Sequence, residues 1–324
     1  FSCTKPLGAV ALLQQVAAGR IELDAPIAEV WPEFAQAGKQ GISLRQLLSH
    51  RSGLSAVAKT LPPEALFDWT AMSTALAEQA PWWEPGAAHG YAPVTYAWLL
   101  GEPLRRLTDQ RAGSYIQQHI CQPLGMDFHV GVPDQDLPRI AHVSRLRNQY
   151  GDEGARALFA AMGEPEGLTA KAFGNPSSMM TSTNKREWQQ AEILSANGTG
   201  NARSLARFWQ LLAHGGKLDG VSLLDAELVA LMQQEHSKGQ DRTLLCPTRF
   251  GLGVMLEQDT PGGGFGMGPR AFGHPGAGGS LGFCDPDAQV GFGYVTNTMG
   301  PYVLMDPRAL ALSSAVKDCL RELD

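Results

Sequence analysis

A serine and a lysine stand three residues apart at Ser2 and Lys5. On one turn of a helix, side chains at this spacing are neighbours about 5 to 6 Å apart, so a hydroxyl and an amine can share a proton. The same spacing begins at Ser182 and Ser314, which makes it uninformative alone. Only Ser2 begins an apolar helix, whose dipole and free N–H groups stabilise negative charge. The pattern predicts a nucleophile at Ser2 and its proton partner at Lys5, the alternative being a helix cap beside a solvated lysine.

Tyr91 is the predicted second proton-transfer group. A lysine or a tyrosine serves as a base only where its surroundings lower a pKa that is normally about 10. The turn that begins at Trp82 and Trp83 leads to Tyr91, just before a helix predicted to begin near Thr95. The phenol is therefore expected at a constrained site, and the two tryptophans are expected to line an acyl pocket. The alternative is a core tyrosine beside two core tryptophans.

The glycine-rich segment His274–Ser280 is the third candidate. It predicts a strand edge where the backbone at Gly276 approaches a ligand closely and an N–H group binds an oxyanion. The alternative is that His274 is a structural residue. Ser280 also lies in a Gly-x-Ser-x-Gly pattern, typical of the nucleophile elbow of α/β-hydrolases. That fold needs a histidine after its serine, and His274 is the last of the eight histidines, so this alternative is disfavoured.

A helix over residues 4–18 must hold the first pair. Apolar side chains recur at helical spacing from Leu7 to Val16, and Gly19 follows as a cap. Pro6 fits a helix only in its first turn, where an N–H group has no intrahelical partner. The helix is therefore predicted to begin within a few residues of Ser2.

The rest of the chain divides into a region of predicted helices and a later region of predicted strands. From residue 21 to about residue 200, loops rich in proline and glycine alternate with short helical patterns, which predict helices over residues 43–49, 69–79, 95–107, 114–120 and 184–195. Strands are predicted only later, at residues 250–256, 280–283 and 290–295, before a closing helix over 307–323. We therefore predict an α+β protein in which residues 1–20 and 201–324 form a sheet-bearing domain and residues 21–200 a helical domain.

Composition excludes several classes of function. The chain has 324 residues, 44% of them hydrophobic, and a net charge of -6, which fits a folded protein without a nucleic-acid footprint. No apolar run is long enough to span a membrane, so we expect a soluble protein. The five cysteines are scattered and no metal motif occurs, which predicts neither a disulfide framework nor a metal or other cofactor. A reducing, cytoplasmic location fits best.

Three segments together carry a resemblance. They are Ser2-Cys3-Thr4-Lys5, Tyr91-Ala92-Pro93 and His274-Pro275-Gly276. In this order they resemble the three motifs of the class C β-lactamase-like serine hydrolases. That superfamily joins β-lactamases, penicillin-binding peptidases and class VIII carboxylesterases. The resemblance covers essentially the whole chain and is closest to the class VIII carboxylesterases.

The resemblance implies both a fold and a mechanism. The implied fold is a mostly antiparallel sheet flanked by helices, with a helical domain inserted after the nucleophile helix. Ser2 is implied to be the nucleophile of a covalent acyl-enzyme, and Lys5 and Tyr91 to handle its proton. The N–H groups of Ser2 and Ala277 are implied to form the oxyanion hole. Relatives carry further residues before the nucleophile motif, including two strands, so we expect N-terminal strands to be missing here.

Two departures from the family pattern bear on the substrate. His274 stands where β-lactamases and penicillin-binding proteins usually have the lysine of K-T-G, and a neutral imidazole holds a carboxylate less firmly. Pro93 replaces the asparagine of Y-x-N. Both changes favour hydrolysis of a small ester over a β-lactam. The alternatives are β-lactamase or D-alanyl peptidase-like activity, and a non-catalytic binding or regulatory module on the same scaffold. The sequence leaves the oligomeric state open.

Overall fold

The computed structural model describes residues 1–145, 150–178, 181–260 and 263–323. Eleven α-helices lie in this part of the chain: α1 (Lys5–Ala17), α2 (Leu44–Leu48), α3 (Trp69–Glu78), α4 (Tyr96–Thr108), α5 (Ala112–Ile116), α6 (Glu153–Met162), α7 (Leu168–Gly174), α8 (Arg186–Gln190), α9 (Ala202–Ala213), α10 (Ala226–Gln233) and α11 (Pro307–Leu323). The strands are β1 (Phe128–His129), β2 (Ser144–Arg145), β3 (Thr199–Gly200), β4 (Lys217–Leu218), β5 (Val221–Ser222), β6 (Ser237–Gln240), β7 (Pro247–Phe250), β8 (Met255–Leu256), β9 (Phe272–Pro275), β10 (Leu281–Asp285), β11 (Val290–Tyr294) and β12 (Thr298–Met299).

The main sheet has six antiparallel strands in the order β11-β10-β9-β8-β7-β6. Its register is fixed by pairs such as Phe283 opposite Phe292 and Leu281 opposite Pro275. Helix α9 packs across β11 and β10. A Cβ atom at Gly291 would lie 2.2 Å from the backbone N of Gln210, so only glycine lets this helix lie so close to the strand.

The prediction of three strands was wrong in number. It found β10 and β11, but it treated residues 250–256 as one strand, whereas β7 ends at Phe250 and β8 begins at Met255. Strand β6 was missed because its residues, Ser237–Gln240, are polar and three of the four are exposed. A strand at the sheet edge with one neighbour carries no alternating apolar pattern to detect.

Helix α1 is buried on nearly every side. Leu7, Val10 and Leu13 are inaccessible to solvent, and Pro6 lies in the first turn, as predicted. A helix that is apolar all round belongs in a protein core rather than at its surface. Helix α4 packs along α1, and together they hold residues from two distant parts of the sequence side by side.

The helical middle was predicted in outline. Helices α2, α3 and α4 begin and end within about two residues of the predicted bounds. The predicted helix over 184–195 is much shorter, at Arg186–Gln190, and α6 and α7 were not predicted. The architecture is the predicted α+β class. Among the described residues, no helix is both long enough and apolar enough to cross a membrane.

Candidate active site

Ser2 and Lys5 come together as the sequence predicts. Residues Ser2–Thr4 form a 3-10 turn that runs directly into α1, whose first residue is Lys5. The amine Nζ of Lys5 lies 3.2 Å from the hydroxyl Oγ of Ser2. Ser2 is half-buried, so the hydroxyl is reachable, whereas Lys5 is inaccessible to solvent. A partly accessible hydroxyl thus faces a wholly buried amine.

The other hydrogen bonds of the Lys5 amine among the described residues go to two backbone carbonyls. Its Nζ donates to the carbonyl oxygen of Pro93 at 3.2 Å and to that of Ser195 at 2.9 Å. Burial lowers the pKa of the Lys5 ammonium well below its ordinary value. A neutral amine has two N–H groups and one lone pair, so with two carbonyls bound the lone pair is left for Ser2. The arrangement suits an amine that accepts the serine proton.

Tyr91 stands above the amine. The Nζ of Lys5 lies 4.6 Å from the centre of the Tyr91 ring. The Tyr91 backbone N–H donates to both carboxylate oxygens of Asp241, at 3.1 and 2.9 Å, which fixes the main chain at this point. Burial raises the pKa of the Tyr91 phenol, and a hydrogen bond with Ser2 opposes the rise. Tyr91 therefore stays a neutral phenol beside the serine hydroxyl, which is the opposite of the lowered pKa that a tyrosine base would need.

His50 holds the Tyr91 ring in place. The capping box of Ser43 and Gln46 begins α2, and His50, two residues after the end of this helix, lies in the left-handed region with φ of 59°. Its ring centre lies 5.0 Å from that of Tyr91, and its Nδ1 accepts the Ala92 N–H at 3.3 Å. Burial, together with the nearby Lys5, lowers the pKa of His50 well below its ordinary value. The imidazole is a neutral packing group.

The turn after β9 approaches the serine from the other side. A Cβ atom at Gly276 would lie 2.3 Å from Oγ of Ser280, so this position requires glycine, and the same Cβ would be in van der Waals contact with the backbone N of Ser2 at 3.4 Å. Ala277 follows, half-buried, at the edge of a cleft. Within the described residues, neither the Ser2 N–H nor the Ala277 N–H has an acceptor. Two free backbone donors near the Ser2 hydroxyl have the arrangement that an oxyanion hole requires.

His274 lies in β9 beside this turn. Its Nδ1 donates to the Pro275 carbonyl at 2.7 Å, and its Nε2 is buried without a partner among the described residues. Burial lowers the pKa of His274 to about 3. The ring centre lies 5.9 Å from that of Tyr91. His274 is therefore uncharged and provides no cation for a substrate carboxylate.

Comparison with known proteins shows the family to which the chain belongs. The family model described as Beta-lactamase matches residues 1–316. The chain belongs to the beta-lactamase family. The chain is also 30% identical, over 313 residues, to Esterase/beta-lactamase LipL of Mycobacterium tuberculosis; the match spans 94% of this chain and 70% of that protein.

Two solved structures of beta-lactamase fold are similar over nearly the whole chain. One is a penicillin-binding protein homologue from Caulobacter crescentus, with 38% identity and a TM-score of 0.87, covering 98% of this chain and 81% of that one. The other is a family VIII carboxylesterase, with 31% identity and a TM-score of 0.85, covering 98% and 82%. The α+β fold is thus that of the beta-lactamase family.

Trp82 and Trp83 brace the loop that leads to Tyr91. The indole N–H of Trp82 donates to the Ala56 carbonyl at 2.9 Å, and that of Trp83 to the Ala88 carbonyl at 3.1 Å. Neither tryptophan is among the described residues that line the cleft beside Ala277. The role of these side chains in an acyl pocket stays a prediction.

The cleft beside Ala277 has a volume of about 490 Å³. Its walls include Phe128, Trp188, Leu205 and Met299. Of the described residues that line it, none is an aspartate, glutamate, lysine, arginine or histidine. Clefts of this size hold small organic ligands, and the described lining of this one combines apolar side chains with uncharged polar ones.

Two residues of the site were missed by sequence reasoning. Asp241 is fully buried and also accepts the N–H groups of Thr243 and Leu244 at 2.8 Å each. His50 was given no role in the sequence analysis. Each acts through a residue more than 40 positions away, so no local pattern marks it. Among the described residues, no group of three or more metal-ligating side chains could hold a metal ion.

Proposed function

We propose that the protein is a serine hydrolase that cleaves small esters through a covalent acyl-enzyme, with Ser2 as the nucleophile. The observation that carries the proposal is the set of contacts around Lys5. Its amine faces the Ser2 hydroxyl at 3.2 Å while two carbonyls take its N–H groups. Membership of the beta-lactamase family, and relatives named esterase and carboxylesterase, support the same reaction class.

In the proposed first step, Lys5 takes the proton of Ser2 as the serine oxygen attacks the ester carbonyl. A base contributes most when its pKa lies near the working pH, and burial moves the pKa of Lys5 in that direction. The developing oxyanion is bound by the free N–H groups of Ser2 and Ala277. Both donors belong to backbone that is held before the substrate arrives.

Collapse of the oxyanion then breaks the bond to the leaving alcohol. The alcohol oxygen needs a proton, and the Tyr91 phenol is the neutral donor beside Ser2, re-supplied from Lys5. Water then attacks the acyl-enzyme, with the same two groups acting in reverse. The acid and base assignments are proposals that follow from the protonation states the site favours.

An uncharged ester suits the surroundings better than a β-lactam. The penicillin-type substrates of related enzymes carry a carboxylate, whereas His274 is neutral because its pKa is about 3. The cleft beside Ala277 also lacks a basic side chain among its described residues. We therefore expect ester hydrolysis to exceed β-lactam hydrolysis by a wide margin.

Ser2→Ala tests the proposal directly. We expect the variant to lose p-nitrophenyl ester hydrolysis by at least about 10³-fold and to lose labelling by a fluorophosphonate, because the nucleophile is gone. Ser314→Ala is the matched control, since Ser314 begins another Ser-x-x-Lys spacing and is exposed on α11. Ser280→Ala should keep substantial activity. Full activity of Ser2→Ala, or loss of labelling in Ser280→Ala alone, would overturn the assignment.

A further inference from the structure

The turn that carries Ala277 is held from behind by an arginine. The carbonyl oxygen of Gly278 accepts two hydrogen bonds, one from Nη2 of Arg308 at 2.9 Å and one from the Gly300 N–H at 2.8 Å. Arg308 lies in the first turn of α11, far from Ser2 in sequence. The C-terminal helix is thereby joined to the turn beside the nucleophile.

Two peptide groups connect Arg308 to the free N–H of Ala277. The carbonyl of Gly278 and the N–H of Gly279 belong to one peptide group. That N–H donates to the carbonyl of Gly276 at 3.0 Å, and this carbonyl shares its peptide group with the N–H of Ala277. Hydrogen bonds therefore connect the guanidinium to the 278–279 peptide group, and this peptide group to the 276–277 peptide group, which carries the free N–H of Ala277. Hydrogen bonds in such a chain orient and polarise one another.

Asp306 fixes the guanidinium. Its Oδ1 accepts from Nε of Arg308 at 2.9 Å and its Oδ2 from Nη2 at 2.7 Å, and the Asp306 side chain is almost wholly buried. Arg308 also donates through Nη1 to the Thr298 carbonyl at 3.0 Å. A two-pronged pair of this kind defines the direction of the arginine more closely than a single contact does.

Two glycines make room for this pair. A Cβ atom at Gly300 would lie 1.9 Å from Oδ2 of Asp306, and one at Gly279 would lie 2.7 Å from it. Gly279 also has φ of 110°, a conformation that favours glycine. The Asp306–Arg308 pair therefore fits against the turn with no space for a methyl group at either position.

We propose that Arg308 is a positioning residue for the oxyanion donor at Ala277, acting through the two peptide groups of the turn. The proposal rests on the proposed function, because it assigns a role to the Ala277 N–H in ester hydrolysis. Among the described residues, the Arg308 side chain has no hydrogen bond to Ser2. It sets the direction of the donor and strengthens it, and Asp306 keeps the guanidinium in place.

The test compares Arg308→Ala and Arg308→Lys with the wild type. The readouts are kcat and KM for a p-nitrophenyl ester, and the ratio of hydrolysis rates between that ester and its thionoester. Sulfur accepts hydrogen bonds weakly, so a well-aimed oxyanion hole favours the oxygen ester. We expect Arg308→Ala to lower kcat about 10-fold, less than the roughly 10² to 10³-fold lost with a whole donor. KM should change little, the rate ratio should fall, and Arg308→Lys should be intermediate.

Arg270→Ala is the matched control. Arg270 forms an exposed ion pair with Asp287 at 2.8 Å in the same part of the fold and does not contact the turn. It should leave kcat and the rate ratio unchanged. A purely structural loss in Arg308→Ala would lower the folded fraction without changing the rate ratio, so the ratio separates the two roles.

Gly300→Ala provides a second variant that keeps the arginine. Its methyl group would displace Asp306 and Arg308 from the turn, so kcat and the rate ratio should fall as in Arg308→Ala. An unchanged rate ratio in folded Arg308→Ala or Gly300→Ala would overturn the proposal while leaving the esterase assignment intact. A wild-type protein without Ser2-dependent ester hydrolysis would instead overturn the proposed function, and this proposal with it.

Discussion

Lys5 and Lys39 are both inaccessible to solvent, yet their surroundings differ in one decisive respect. Lys39 donates to three backbone carbonyls, those of Gln36, Ala77 and Gln79. Lys5 donates to two carbonyls and faces the hydroxyl of Ser2. Three carbonyls use all three donors of an ammonium, whereas a hydroxyl can give a proton to an amine. Burial alone therefore does not distinguish the lysine that we propose as a base from a structural one; the third hydrogen-bond partner, a hydroxyl or a carbonyl, does.

The helix ends reinforce the difference. Lys5 is the first residue of α1, at the positive end of its dipole, which disfavours an ammonium. Lys39 binds the last turn of α3, at the negative end, where a cation is favoured. Burial lowers the pKa of both groups, and that of Lys5 falls well below its ordinary value. These surroundings favour the neutral amine at Lys5, as its proposed role as a base requires, and the cation at Lys39.

The largest expected effect is the loss of activity in Lys5→Arg. A guanidinium remains protonated and cannot accept the Ser2 proton, so we expect kcat/KM for a p-nitrophenyl ester to fall by about 10³-fold or more. Lys5→Met should behave alike. Steady-state kinetics on purified, folded protein provide the measurement. Activity within tenfold of the wild type in Lys5→Arg would mean that another group takes the proton.

Lys39→Met should have the opposite profile. It leaves three carbonyls without their shared donor, and we expect the free energy of unfolding to fall by about 2 to 3 kcal/mol. The kcat of the folded fraction should stay near that of the wild type, since Lys39 has no contact with Ser2. Urea unfolding followed by kinetics in buffer checks both. Full stability of Lys39→Met, or a lower kcat in its folded fraction, would contradict the structural role of Lys39.

The pH dependence is a smaller and more graded effect. The neutral amine is the active form, so kcat/KM should rise with pH through the lowered pKa of Lys5 and level off below its ordinary 10.5. Between the lowered pKa of Lys5 in the native state and its ordinary pKa in the unfolded chain, the unfolded chain binds more protons than the native state. The free energy of unfolding therefore rises with pH over this range. Lys5→Met should lose that rise. A profile that climbs only near pH 10.5 would contradict the account.

The sequence was sufficient for the parts of the site that lie in short motifs. It predicted helix α1, the contact between Ser2 and Lys5, and a constrained position for Tyr91 just before α4. These features depend on residue spacing and on turn residues, which a single sequence shows. It did not predict Lys39 as a buried cation, because its acceptors at Ala77 and Gln79 become neighbours only after folding. The same reason explains why Asp241 and Arg308 were missed.

The fold shows the same division. Helices with a regular apolar repeat, such as α3 and α4, were predicted closely. The edge strand β6 was missed because its polar residues form a strand only by pairing with β7. Short strands defined by a partner rather than by their own pattern are not visible in a single sequence.

The most direct test of the difference between the two lysines is a pH titration of the protein with ¹⁵N-labelled lysine side chains, observed by NMR. Lys5→Arg and Lys39→Arg assign the two signals by their disappearance. We predict that Lys5 is a neutral amine at mildly alkaline pH, where Lys39 is still an ammonium. A Lys5 signal that remains an ammonium up to the ordinary pKa of lysine would contradict its role as the base that activates Ser2.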